Sequence, residues 1–199
     1  MTLTRKLLTG SVALALLGLL ACGGGGSSST PPPPPAPTAT TLVYTDPTTG
    51  TYKLMKNASS SGSHLVLDLV GPSTGTGMGV ALALTADTTK VTWVDVPPGG
   101  TTSVLMQNGT QFVLGAGTPI QKAKATGNLL QATVAQKAPQ GAASLNGPLL
   151  RVALDLKTGL GLAQGTAITL SADAGRCQVL DGSNTIAPMT VSVGTLTAQ

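Results

Sequence analysis

The chain has 199 residues, of which 41% are hydrophobic, 9% are charged and 2% are aromatic, and its formal net charge is +4. So few charges exclude a coiled coil and a charge-driven disordered protein. Two cysteines exclude a disulfide scaffold and a cysteine-based zinc module, and one histidine leaves little material for acid–base chemistry.

The first predicted element is an export signal. Arg5 and Lys6 form a short basic stretch, and the run that follows, residues 7–20, is apolar. This run is too short for a membrane-spanning helix, which needs about 20 residues. The pattern therefore predicts a secretory signal peptide over residues 1–21.

The tetrapeptide Leu19-Leu20-Ala21-Cys22 ends this signal and resembles the lipobox of bacterial lipoproteins. The resemblance implies cleavage before Cys22 and a covalent lipid, such as palmitate, on that cysteine. Two or more acyl chains anchor a protein stably to a membrane. In this family an Asp after the cysteine retains the protein in the inner membrane, so Gly23 implies the outer membrane, with the domain facing the periplasm or the cell surface. The alternative is an ordinary signal cut near Ala21, which leaves Cys22 as a free thiol.

Cleavage also changes the charge. Removal of Arg5 and Lys6 leaves nine basic residues against seven Asp, a net charge of +2. No cluster of Lys or Arg remains, so we expect no nucleic-acid partner.

The second predicted element is a disordered tether over residues 22–40. It contains GGGGSSST, which is typical of a flexible coil, and then PPPPPAP, which favours stiff polyproline II. Fully extended, residues 23–40 span roughly 50–60 Å at about 3 Å each. The tether would hold the remaining chain clear of a lipid surface.

Residues 41–199 form the predicted folded domain, and their hydrophobic period is 2. This alternation predicts strands at 41–45, 51–56, 64–69, 79–84, 91–94, 103–106, 111–114, 119–125, 129–135, 150–157, 166–171, 176–180 and 189–194. We expect the first two strands to form a hairpin and short helical turns at 137–146 and 157–164. Many short strands separated by turn residues predict an all-β fold, an antiparallel β-sandwich.

The order of these segments resembles that of cohesin domains and related carbohydrate-binding sandwiches. The resembling segments are HLVLDLVGP at 64–72, GVALALTADTTKVTWVDV at 79–96, LLRVALDLKTG at 149–159, GTAITLSADAGRCQVLDG at 165–182 and TVSVGTL at 190–196. The resemblance implies a jelly-roll sandwich that binds a protein partner without catalysis. Cohesins bind dockerin domains, which carry paired calcium loops, and no segment here fits D-x-[DN]-x-[DN]-G.

No catalytic residue is predicted. Gly71-Pro72-Ser73-Thr74-Gly75 matches G-x-S-x-G, but a strand follows it where that motif requires a helix. The aspartates fall into two groups, those in turns (Asp46, Asp87, Asp173 and Asp181) and those on strands (Asp68, Asp95 and Asp155). We expect capping from the first group and solvent exposure of Asp68 and Asp155. No cofactor is predicted, and a structural calcium ion, common in such sandwiches, has no support from the spacing.

Two surfaces are candidates for binding. Small outward residues, represented by Ala81, Ala83 and Ala153, predict a flat face that is easily desolvated and suits a protein partner. Tyr44 and Tyr52, placed across the expected hairpin, are the candidate platform for a sugar, whereas Trp93 and Phe112 are expected in the core and Cys177 as a buried thiol. We therefore predict a non-catalytic, membrane-anchored lipoprotein that binds a protein in an envelope or surface assembly. The alternatives are a carbohydrate-binding module, with a polysaccharide as its ligand, and a structural envelope protein without a discrete ligand.

Overall fold

The computed structural model describes residues 34–97, 104–115, 120–137 and 139–199. The chain divides into two units, Met1–Pro34 and Pro35–Gln199. The predicted signal peptide, the lipobox at 19–22 and most of the tether therefore lie outside the described residues. Among the residues described, no helix is long and apolar enough to cross a membrane. The helical turns expected at 137–146 and 157–164 are wrong, because the described positions there form turns and a short strand.

The described residues form sixteen β-strands. They are β1 Leu42–Thr45, β2 Tyr52–Lys56, β3 His64–Val70, β4 Thr76–Ala86, β5 Val91–Val94, β6 Met106–Asn108, β7 Ile120–Thr126, β8 Leu129–Ala135, β9 Ala143–Ser144, β10 Pro148–Leu156, β11 Thr166–Ile168, β12 Leu170–Ala172, β13 Gln178–Asp181, β14 Ile186–Pro188, β15 Val191–Ser192 and β16 Thr195–Ala198.

These strands form three sheets. The six-stranded sheet has the order β15-β2-β3-β10-β5, and β6 also pairs with β10. The seven-stranded sheet has the order β14-β13-β4-β8-β7, and β9 and β12 also pair with β4. The three-stranded sheet is β1-β16-β11. Apart from β15 with β2, the pairings between these strands are antiparallel, so the predicted all-β, antiparallel fold is confirmed.

The core lies between the two larger sheets. Alternate residues of the central strands are buried in one hydrophobic cluster, which contains Leu65, Leu67 and Leu69 of β3 together with Val80, Leu82 and Leu84 of β4. Each such side chain contributes about 1.5–3 kcal/mol when it is fully buried. The period of 2 in the sequence thus places one face of each sheet inward, and the sandwich follows.

The expected hairpin between β1 and β2 is wrong. β1 pairs with β16, at the C-terminal end of the chain, and β2 pairs with β3. The two strands belong to different sheets, and residues 46–51 carry the chain from one sheet to the other. A loop of this length does not impose a hairpin as a two-residue turn does.

Several strand boundaries also differ from the prediction. Residues 166–171 divide at Thr169, whose carbonyl accepts a hydrogen bond from Asp87 N at 2.9 Å, and the two halves join different sheets. Residues 189–194 are likewise not one strand, and 111–114 is a loop in which Asn108 Nδ2 donates to Phe112 O at 2.7 Å. A segment with alternating apolar residues that crosses from one sheet to the other has the same sequence pattern as a single strand.

Candidate functional site

The outer face of the seven-stranded sheet carries a row of apolar residues. The strand register places Ile120, Ala135, Gly79, Leu180 and Ile186 side by side across β7, β8, β4, β13 and β14. We call these five residues the apolar row. Ile186 is 66% exposed and Ile120 is 47% exposed, so large aliphatic side chains stand in solvent at both ends.

At the centre of the apolar row the backbones of β4 and β8 approach each other closely, so the surface is lower there. A Cβ on Gly79 would lie 2.5 Å from the Cβ of Ala135, closer than two such atoms can approach. Only glycine fits there, and Ala135 packs directly over the backbone of β4. The middle of the row therefore lies below its two ends.

A shallow depression of about 200 Å³ occupies this centre. Gly79 and Ala81 lie on its floor, Ala135 borders one side, and Leu180 and Ile186 border the other. Its lining is mostly aliphatic, so it suits an apolar side chain of another molecule.

The charges on β7, at one edge of this face, have one sign. Lys122 and Lys124 of β7 point outward, opposite Thr133 and Gln131 of β8. Neither lysine has an ion pair within the described part of the chain. The β7 end of the apolar row is therefore basic, whereas β13 ends in Asp181, whose carboxylate accepts hydrogen bonds from its own turn.

Of the three alanines predicted to form a binding face, the structure places only Ala81 in the depression. Ala83 lies two residues further along β4 but is only 1% exposed. The turn between β12 and β13 lies against it, since Asp173 N donates to Ala83 O at 2.9 Å. The expected exposure of Ala83 is therefore wrong.

Ala153 lies on the other sheet and is completely buried. It belongs to a small cluster with Val66 and Val96, on the outer side of the six-stranded sheet. His64 Nε2 lies 3.1 Å from Val96 O, and this contact holds the segment after β5 over β3 and β10. The expectation that Ala153 contributes to an exposed face is wrong because a second apolar layer covers it.

The same face of the six-stranded sheet holds an ion pair and a histidine–carboxylate contact. Arg151 Nε lies 2.7 Å from Asp68 Oδ1, and His64 Nδ1 lies 2.6 Å from Asp155 Oδ1. Asp68 also accepts a hydrogen bond from Asn57 Nδ2 at 2.5 Å and is buried, so its expected exposure is wrong. Asp155 remains partly exposed. No sequence pattern indicates these pairs, because their members are far apart in the chain and meet only through the register of β3 and β10.

The two tyrosines do not form a surface platform. Tyr44 and Tyr52 are both buried in the core cluster. The Tyr44 hydroxyl donates to Leu54 O at 2.8 Å and accepts from Gly194 N at 2.6 Å. Burial raises the pKa of Tyr44 to about 12 and also raises the pKa of Tyr52. Neither ring is available for a sugar to stack on.

The groups that could support chemistry are apart or engaged. Ser73 follows the end of β3 while His64 begins it, so about 20 Å of extended strand separates them. Cys177 lies fully buried in the core cluster, as predicted, and burial raises the pKa of its thiol. Trp93 and Phe112 are also buried in that cluster, as predicted. Within the described residues there is no group of three or more His, Cys, Asp or Glu side chains that could hold a metal ion.

Three of the turn aspartates cap their own turns, as predicted. Asp87, Asp173 and Asp181 each accept a hydrogen bond from the backbone N–H two residues further on. The hydrogen bonds from Lys90 and Thr89 lower the pKa of Asp87 to about 2. These carboxylates therefore have a local structural role.

A larger cavity, of about 480 Å³, lies where the chain enters the domain. It is bordered by residues 38–40 and 156–162, and Ala39 N donates to Leu162 O at 2.7 Å. Lys157 is its one charged residue, and Lys157 Nζ already donates to Thr88 O at 2.6 Å. The cavity is larger than the depression on the sheet, but its one charged group is engaged and its other polar side chains are serine and threonine hydroxyls, so we place the candidate site on the sheet.

The described fold is thus an all-β sandwich with an apolar outer face. No protein-family model matches the chain, and no curated protein matches it. Solved structures with a similar strand arrangement are cohesin domains. The sixth cohesin of scaffoldin B from Acetivibrio cellulolyticus, solved in complex with a dockerin mutant, has a TM-score of 0.48 at 15% identity and covers 73% of this chain and 97% of its own.

Two further cohesins give similar values. A type II cohesin domain from the cellulosome of Acetivibrio cellulolyticus has a TM-score of 0.48 at 13% identity, covering 80% of this chain and 95% of its own. A cohesin module from a family 33 glycoside hydrolase of Clostridium perfringens has a TM-score of 0.37 at 9% identity, covering 78% and 98%. Similarity at this level describes the arrangement of strands, and we infer function from this chain's own residues.

Proposed function

We propose that this protein is a non-catalytic module that binds a protein partner through the outer face of its seven-stranded sheet. The observation that carries the proposal is the apolar row, with Ile120 and Ile186 exposed at its ends and a depression at its centre. A contiguous apolar patch with polar residues around it marks an interaction surface on a soluble domain. A flat strand surface also keeps its shape on binding, which limits the entropic cost of association.

The chemistry of the face indicates the chemistry of the partner. An aliphatic or aromatic side chain that protrudes from the partner fits the depression between Ala135 and Leu180. Carboxylates beside that side chain would meet Lys122 and Lys124, which have no ion pair among the described residues. Such complementary charge adds specificity and accelerates association.

Two features favour this proposal over a carbohydrate-binding module. Sugar sites commonly present exposed aromatic rings, and here Tyr44 and Tyr52 are buried. The apolar row itself contains aliphatic residues and glycine, which offer no ring for stacking. The exposed isoleucines in turn favour a docking role, because a structural envelope protein without a ligand does not require exposed aliphatic side chains.

We further propose that this module is displayed on a membrane. The proposal rests on the lipobox, Leu19 to Cys22, and on the Pro-rich tether that follows. The lipid on Cys22 would anchor the chain at the outer membrane, facing the periplasm or the cell surface. Mass spectrometry of the membrane fraction should find acyl groups on Cys22, and a Cys22→Ser variant should lose them. Unmodified Cys22 in the cytosol would contradict the anchor.

The docking proposal is tested by quantitative crosslinking from intact cells with matched variants. Ile186→Asp places a charge on the apolar row, and Leu160→Asp places the same charge on another exposed aliphatic residue, 45% exposed in a distant turn. Loss of an interface anchor costs about 2 kcal/mol or more, so Ile186→Asp should reduce recovery of the partner roughly thirtyfold. Leu160→Asp should leave recovery unchanged. Equal recovery with the wild type and Ile186→Asp, with both folded by circular dichroism, would refute docking at this face.

A further inference from the structure

The outer face of the six-stranded sheet contains a second site. A groove of about 230 Å³ lies over β3 and β10, between the row that contains Arg151 and the row that contains His64. We call it the polar groove. We propose that it binds the C-terminal carboxylate of a peptide, with Arg151 and Gln107 as the donors. This proposal does not depend on the docking face of the other sheet.

Arg151 is held in one orientation by a buried carboxylate. Its Nε and Nη2 atoms donate to the two oxygens of Asp68, at 2.7 and 3.3 Å. Asn57 fixes Asp68 in turn. This contact uses the edge of the guanidinium formed by Nε and Nη2. The other edge, formed by Nη1 and the second N–H of Nη2, has no hydrogen-bond partner among the described residues. A free edge of a fixed guanidinium matches a carboxylate with two parallel hydrogen bonds.

Gln107 adds a second donor beside that edge. It lies on β6, directly opposite Arg151 in the strand register, and lines the same groove. Its side-chain amide has no hydrogen-bond partner within the described part of the chain. The half-buried Gln107 and Arg151 therefore line the same groove from adjacent strands.

The arrangement of charge favours an anion. Arg151 and His64 line the groove, whereas their carboxylate partners, Asp68 and Asp155, do not. Both nitrogens of the His64 ring lie near oxygen acceptors, Asp155 Oδ1 and Val96 O, which hold the ring at the edge of the groove. The carboxylates thus hold the two basic groups in position without occupying the groove.

The apolar residues of the groove determine which chemical group can lie next to the bound carboxylate. Val66, Val96 and Pro97 form the apolar part of the groove. An aliphatic side chain next to the carboxylate would contact these residues. The last residue of a peptide with an apolar C-terminus has both groups, a carboxylate and an aliphatic side chain beside it. The hydroxyl-covered ring of a uronic acid gains little from such a surface.

Nuclear magnetic resonance titration of the folded domain tests this proposal. The probes are N-acetyl-leucine, its uncharged analogue N-acetyl-leucinamide, and methyl glucuronide. N-acetyl-leucine should shift the side-chain N–H signals of Arg151 and Gln107 at millimolar concentration, and the amide analogue should not. Equal shifts with the amide, or none with N-acetyl-leucine, would overturn carboxylate recognition. A response to methyl glucuronide alone would overturn the assignment to a peptide.

A pair of matched variants shows whether the groove residues themselves bind the probe. Gln107→Glu replaces a donor with a like-charged acceptor, so the affinity for N-acetyl-leucine should fall roughly tenfold or more. Gln164→Glu makes the same change at an exposed turn residue outside the groove and should leave the affinity unchanged. Equal affinity of the two variants would overturn the assignment. The Gln107 side chain has no hydrogen-bond partner within the described part of the chain, so the substitution should leave the fold intact.

Discussion

The two outer faces of this sandwich have opposite characters, although the strands beneath them have similar sequences. Along β4 the outward positions are small, and the face remains open above Gly79 and Ala81. Along β10 the outward positions are Arg151, Ala153 and Asp155, and an ion pair and a second apolar layer occupy that face. One sheet therefore keeps an open apolar surface, and a loop covers part of the other.

The difference shows that alternation along a strand defines a face but not the environment of that face. Ala81 and Ala153 both alternate with core residues and both point away from the main core. Ala81 lies in an open depression, whereas Ala153 is completely buried beneath Val96. What covers a face is set by segments that are distant in the sequence.

The largest effect should come from removing Arg151. Arg151→Ala leaves the buried carboxylate of Asp68 without its cation, and such a loss costs 3–5 kcal/mol in typical cases. Because the Arg151 side chain is 26% exposed, we expect about 3 kcal/mol, the lower end of that range. Urea unfolding of the wild type and the variant measures it.

The matched control is Arg176→Ala, on the side of the seven-stranded sheet. Arg176 pairs with Asp173 at 3.3 Å, and the two side chains are 55% and 35% exposed. Solvent screens such a pair, so we expect a loss below about 1 kcal/mol. Similar losses for the two variants would remove the contrast between a buried and an open face.

The second prediction enlarges one alanine on each face. Ala153→Leu inserts bulk into a packed layer and should destabilise the fold by about 2 kcal/mol. Ala81→Leu places the same bulk in an open depression and should change stability by less than about 0.5 kcal/mol. Thermal or urea unfolding compares the two, and equal destabilisation would show that the depression is as tightly packed as the opposite layer.

The third prediction concerns the interior, which neither outer face includes. Because burial raises the pKa of Tyr44 to about 12 from 10.0, the folded state keeps a proton that the unfolded state loses. This contribution to stability is complete below pH 10 and is lost as the pH rises towards 12. Between pH 9 and pH 11 the wild type should lose about 1 kcal/mol more than Tyr44→Phe.

The comparison with Tyr44→Phe isolates this phenol. The buried groups Tyr52 and Cys177, whose pKa values are also raised, titrate in both proteins and cancel. The measurement is the free energy of unfolding in urea at the two pH values. The same pH dependence in both proteins would show that Tyr44 is not held protonated by the fold.

The smallest effect on stability should come from the lysines of the open face. Lys122→Glu and Lys124→Glu remove no contact with a described residue, so each should change stability by less than about 0.5 kcal/mol. The same variants should weaken recovery of an acidic partner, and the salt dependence of recovery should disappear with them. Lys53→Glu, on the six-stranded sheet, is the control and should change neither property. A partner that is recovered equally well from the charge-reversed variants would not be acidic.

Much of the fold was predictable from local pattern, and the candidate site was predictable in part. The spacing of Leu65, Leu67 and Leu69 indicated a half-buried strand, and the order of such strands indicated a sandwich. Ala81 was correctly expected on an open face, but Ala83 and Ala153 were not distinguished from it. The hairpin expected at residues 41–56 was wrong because β1 pairs with a strand at the other end of the chain.

The sequence alone determined which side of each strand faces the core, because hydrophobic alternation with a period of 2 is a property of a few adjacent residues. It also identified the turns capped by Asp87, Asp173 and Asp181, since an Asx turn closes within the segment itself. Only the tertiary structure decided which outward positions stay open, because that depends on strand register and on loops from elsewhere in the chain. Register brings Ile120 and Ile186 into one row and Arg151 against Asp68, and the members of each pair lie more than sixty positions apart in the chain.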